Sequence, residues 1–113
     1  MAETISSELG ALYLKCYGEP VLELKTHLVP DMVICVLDIA LQRHEETLLS
    51  HDFKGNSLVI RSIRRSFQEA LRSTFVATIE HVTGRTVTAF MSDTHIDPPF
   101  SIELFRLAPA QAV

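Results

Sequence analysis

Two stretches of this chain alternate apolar and polar residues on both sides of a proline turn, with a long helical stretch between them. The first runs from Val21 to Asp38 and bends at Pro30-Asp31. Val21, Glu23, Lys25 and His27 alternate with Leu22, Leu24, Thr26 and Leu28, and Met32 to Asp38 is dense in apolar and β-branched residues. The second starts at Arg85, where Val87, Ala89 and Met91 share one face and Thr88, Phe90 and Ser92 the other. It resumes from Phe100 to Leu107, with Phe100, Ile102 and Leu104 in phase and Phe105 and Leu107 out of phase. A period of two marks a strand, and a short connection makes its two strands an antiparallel hairpin. Proline has no N–H to give to a ladder, so Pro30 and the Asp97-Pro98-Pro99 run fix where each hairpin turns. Strands grouped in pairs predict an α+β fold: two antiparallel β-hairpins forming one sheet, helices packed on one face, element order α-β-β-α-α-α-β-β.

The helices follow from a period near 3.6. Ile5, Leu9, Leu12, Tyr13 and Cys16 have helical spacing, and Gly18 and Pro20 stop that segment. Arg43 to Phe53 carries Leu48, Leu49 and Phe53 and predicts a short helix, broken at Lys54-Gly55-Asn56. Ser57 is a candidate cap for a longer helix, because its hydroxyl can accept a first-turn N–H. In that helix Ile60, Ile63, Phe67, Ala70 and Leu71 form one apolar face, with Arg61, Arg64, Arg65, Gln68 and Arg72 opposite. Past Arg72 the register fails, since Phe75, Val76, Ile79 and Val82 would fall near the arginines. A buried stripe cannot change sides in a straight helix packed on one core. The pattern therefore predicts a break at Ser73-Thr74, a second helix from Thr74 to Val82, and a left-handed terminus at Gly84.

Size and composition narrow the function. A chain of 113 residues fits one domain and can bury a core without metal or disulfides. Its net charge of −4 argues against bulk binding of nucleic acid or anionic lipid. The longest apolar runs, such as Met32 to Leu37, are too short to span a bilayer, and Met1 to Gly10 does not read as a secretory signal. Cys16 and Cys35 lie in separate apolar segments with no CxxC, as expected of buried cytosolic thiols. There is no Gly-rich phosphate loop and no HExxH, and Ser92 lacks a nucleophile-elbow sequence. The expectation is a domain that is not an enzyme, with no catalytic residue and no cofactor.

Two constellations carry chemistry. Asp93, His95 and Asp97 recur at every second position, so on an extended segment they point to one side and offer two carboxylates and an imidazole to a divalent metal. A fourth ligand could come from His27, His44, His51 or His81. The competing reading is turn chemistry, with Asp93 bonding backbone amides and Asp97-Pro98 starting a bend. The second constellation is the arginine stripe, Arg61, Arg64, Arg65 and Arg72, a candidate surface for an anion or an acidic partner. The competing reading there is a solvated helix face paired with Glu69, Glu45 or Glu46.

Several segments together resemble a known family. These are Tyr17-Gly18-x-Pro20, Asp31-Met32-Val33-x-Cys35-Val36-Leu37, Ile63-Arg64-Arg65-Ser66-Phe67-Gln68, and Thr83-Gly84-Arg85 ahead of Ala89-Phe90-Met91-Ser92-Asp93-x-His95-x-Asp97-Pro98. In order and spacing they resemble the MpsC-like family, named for a Na+-translocating, membrane potential-generating system, from about Ser7 to Leu107. The chain departs from the family at Leu41-Gln42-Arg43, where members often start a helix with Leu-Thr-Pro, and at Thr74, where many carry Pro. The resemblance implies a soluble accessory of a membrane ion or inorganic-carbon transport system and supplies no catalytic residues. A sheet covered on one face only also leaves apolar residues to bury, so a homodimer packing sheet on sheet or edge to edge is expected. A small-ligand, anion or metal-binding regulatory domain is the alternative.

Overall fold

The two alternating stretches fold as hairpins, and the hairpins join into one sheet. The computed structural model describes residues 1–18, 21–51 and 55–110. Its elements are α1 (Ala2–Tyr17), β1 (Glu23–Val29), β2 (Met32–Asp38), α2 (Arg43–Ser50), α3 (Asn56–Thr83), β3 (Val87–His95) and β4 (Phe100–Leu107). The strand order is β1-β2-β4-β3, antiparallel throughout. The hairpins meet where β2 pairs with β4, so β1 and β3 are the edges. The α+β class and the helix-covered antiparallel sheet are as expected. Pro20 and Phe53 lie outside the described residues.

Three local expectations change. α3 is one continuous helix of 28 residues, and the break at Ser73-Thr74 does not occur. The side chains that α3 buries are Ile60, Arg64, Gln68, Phe75 and Ile79, with Leu71 half-buried. Their spacing of three and four residues is a single unbroken stripe. The apparent change of side arises only if Arg64 and Gln68 are assumed to face water. Ile63, Phe67 and Ala70, expected inside, are exposed. The helix also begins at Asn56 behind Gly55, so Ser57 is not its cap.

Second, β3 runs on through Asp93 to His95, further than the alternation to Ser92 suggested. The turn is confined to Ile96–Pro99, with a cis Asp97–Pro98 bond. Third, β1 begins at Glu23, two residues later than expected. The terminus at Gly84 is as anticipated: its φ is +69°, and its N–H donates to the Glu80 carbonyl at 2.8 Å.

The helices lie over the face that carries Val33, Cys35 and Leu37 of β2, Ser101, Glu103, Phe105 and Leu107 of β4, and Phe90 and Thr94 of β3. Ile5, Leu9 and Tyr13 of α1 and Phe75 and Ile79 of α3 close the core from above. The opposite face carries Ile34, Val36, Ile102, Leu104 and Met91. Ile102 and Met91 there are exposed. In β4 the evident apolar alternation, Phe100-Ile102-Leu104, therefore faces away from the helices. The phase that faces the core contains a serine and a glutamate.

Candidate functional site

The most unusual chemistry of the fold is a polar layer inside the core. Glu103 sits at the middle of β4, 2% exposed, opposite Cys35 on β2 and Ser92 on β3. Neither of its carboxylate oxygens has a hydrogen-bond partner among the described residues. The Ser92 hydroxyl is beside it and favours ionisation, yet it also completes no hydrogen bond. Burial dominates and pushes the Glu103 carboxyl up to about 8. Next to it, Ser101 and Thr94 share a 2.8 Å hydroxyl contact.

Tyr13 and Tyr17 of α1 and Gln68 of α3 form the roof of this layer. The Gln68 amide donates to the Tyr13 hydroxyl at 3.0 Å and to the Tyr17 hydroxyl at 2.6 Å, while its own oxygen is left without a partner. The two rings stack at 4.4 Å, as their i, i+4 spacing on one helix allows. Burial raises the pKa of both phenols, and the Glu103 charge adds to the shift. That coupling places glutamate and tyrosines in one electrostatic neighbourhood.

Beyond Tyr17 the layer ends in a buried ion pair. Arg64 donates to Glu45 twice, Nε to Oε2 and Nη2 to Oε1, each at 2.7 Å. Both side chains are 7% exposed. Glu45 Oε1 also accepts the Gln42 N–H at 2.8 Å, so one carboxylate caps α2 and ties it to α3. Burial works against the Glu45 charge, but the bonds from Arg64 and Gln42 outweigh it and hold its carboxyl below the usual range. The guanidinium lies 5.9 Å from the Tyr17 ring centroid.

The arginine stripe is divided by these contacts. Arg64 points into the core. Arg61 and Arg65 reach Asp93 at 3.1 Å and 3.6 Å, and Arg72 pairs with Glu69 one turn away. The three candidate metal ligands are likewise occupied differently. Asp93 is engaged by those arginines and by the Thr94 N–H; His95 Nδ1 is 2.9 Å from the Pro98 carbonyl; Asp97 is exposed in the turn. Among the described residues, no group of three or more His, Cys, Asp or Glu side chains is placed to hold a metal ion. The Arg61–Asp93 pair is solvated, so Arg61→Ala should change stability by less than about 1 kcal/mol, read from urea unfolding midpoints.

The family described as "Na+-translocating membrane potential-generating system (MpsC)" matches residues 1–109. The chain belongs to the MpsC family. No curated protein and no solved structure matches it. No helix of this MpsC-family chain, among the described residues, is long and apolar enough to cross a membrane. The sequence reading missed Glu103, Gln68 and the tyrosine pair as one layer of this MpsC-family fold. Phe105 and Leu107 share the phase of Glu103, but Phe100, Ile102 and Leu104 make the opposite phase of β4 as apolar, so the sequence carried no signal that singled Glu103 out.

Proposed function

We propose that this MpsC-family protein is a non-enzymatic, cytosolic accessory of a membrane ion or inorganic-carbon transport system and that it acts by association, first with a second copy of itself. The observation that carries this reading is the sheet face turned away from the helices. Ile34, Val36, Ile102, Leu104 and Met91 make it apolar, and α3 meets it at the β3 edge, where Arg65 and Glu69 line an open cleft with Met91, Ile102 and Leu104. Around them stand Glu23, Lys25, Asp38 and Arg106, charges of both signs that a two-fold axis can set against one another. Face-to-face packing of two such sheets is a standard way to bury this surface. The family description supports the membrane-system setting.

Light scattering at micromolar concentration should give twice the chain mass. Ile102→Asp, which places a carboxylate in the middle of the face, should give the single-chain mass with unchanged helical circular dichroism. A single-chain mass for the unaltered protein contradicts the reading.

A further inference from the structure

All three helices contribute to a cavity beside the buried Arg64–Glu45 pair. It is lined by Tyr17 of α1, His44 and Glu45 of α2, and Ile63, Arg64 and Phe67 of α3. We propose that this cavity binds a small aromatic carboxylate, held by the edge of the Arg64 guanidinium that Glu45 leaves free, with its ring against Phe67, Tyr17 and Ile63. The proposal does not depend on the association reading, because its residues belong to the helices and not to the open sheet face.

The first support is the guanidinium. Its Nε and Nη2 donate to the two oxygens of Glu45, each at 2.7 Å. A guanidinium has a second fork of parallel N–H donors, between Nη1 and Nη2. Nothing among the described residues accepts from that fork, although the side chain is only 7% exposed. Nη1 is nevertheless not sealed in the core, so it meets the cavity. Two parallel donors match the two oxygens of a carboxylate. Glu45 already holds the guanidinium in place, so binding there costs little ordering.

The second support is the wall. The Phe67 and Tyr17 rings lie 4.5 Å apart, tilted by 36°. Phe67 is 40% exposed and Ile63 55%, so large apolar side chains stand open around a polar floor. Apolar walls with a few convergent polar groups are the usual form of a small-molecule site. The cavity holds about 250 Å³. That is below the roughly 300–1,000 Å³ of sites for drug-sized ligands, which limits the occupant to a single ring.

Charge then selects a monoanion. Arg64 and protonated His44 bring two positive charges to the lining, and Glu45, which feels both of them, brings one negative charge. One ligand carboxylate leaves the sum at zero. A phosphate monoester, at about −2, overshoots it, and a cation adds to the excess.

The test titrates the intact, nitrogen-15-labelled chain with sodium benzoate at about pH 6, on the protonated side of the ordinary histidine range. Amide resonances of Tyr17, Gln42, His44, Ile63 and Phe67 should shift and saturate. Benzamide has the same shape without the charge, and acetate has the charge without the ring. Each should bind at least about tenfold more weakly than benzoate. Ile63→Glu sets a carboxylate at an exposed position of the lining, so it should keep the helical circular dichroism and raise the benzoate Kd at least about tenfold. Arg64→Met/Glu45→Leu removes the fork and keeps most of the volume, and it should no longer prefer benzoate to benzamide. Unmoved amides at about 10 mM benzoate overturn the proposal. Equal affinity for benzamide overturns it too, as does an unchanged benzoate Kd in Ile63→Glu, which decides the matter by itself if the double variant fails to fold.

Discussion

Unfolding free energy should fall steadily from about pH 4.5 to about pH 8, and Glu103→Gln should remove most of that slope. Glu103 has its ordinary affinity for a proton in the unfolded chain, near 4.5, and burial raises it to about 8 in the fold. Between those values the folded protein keeps a proton that the unfolded chain has lost, so raising the pH favours unfolding. The stabilisation is fully present below pH 4.5 and is lost as the pH rises through 8. Its magnitude is about 1.4 kcal/mol per pH unit across the window, about 5 kcal/mol in all. Glutamine has the same shape and no proton to lose, so the variant should be the more stable protein above pH 8. Urea melts at intervals of one pH unit decide it. Parallel pH profiles for the two proteins would show that Glu103 is solvated or paired in solution.

Arg64→Ala should be among the most damaging single substitutions, at about 3–5 kcal/mol, because it leaves Glu45 buried and charged without its partner. The effect should be local at first. Glu45 caps α2 and anchors it to α3 through Arg64, so α2 amides should lose hydrogen-exchange protection before the sheet does. The double variant Arg64→Met/Glu45→Leu removes both charges and keeps most of the volume. It should recover most of the loss, as buried pairs replaced by apolar side chains often do. Lysine at position 64 should not rescue, since it cannot give two parallel hydrogen bonds to one carboxylate. A loss below about 1 kcal/mol for Arg64→Ala would place the pair in water.

Arg64 and Glu103 mark where sequence patterns stop being readable. β2, β4, the Gly84 terminus and the positions of both turns followed from alternation, proline and glycine, which act on the backbone within a few residues. The continuity of α3 did not follow. Periodicity counts apolar side chains, and two of the buried positions in the α3 stripe are Arg64 and Gln68. Counted as polar, they split one stripe into two faces and created a break that the helix does not have. Each is buried because of a partner distant in sequence: Glu45 for Arg64, Tyr13 and Tyr17 for Gln68. Asp93 shows the same limit from the other side. Its spacing with His95 and Asp97 suggested a common ligand, yet β3 runs past Ser92, and α3 brings Arg61 and Arg65 to Asp93 instead.

The sequence by itself determined two hairpins, a helix ahead of them and helical stretches between them, the α+β class and the family, because each rests on local backbone preference or on residue order. Tertiary structure alone decided which phase of β4 faces the helices. Both phases carry apolar residues, so burial energy along the strand does not choose between them. The choice comes from cross-strand register, which sets Phe105 beside Val33 and Phe90 and thereby takes Glu103 into the core.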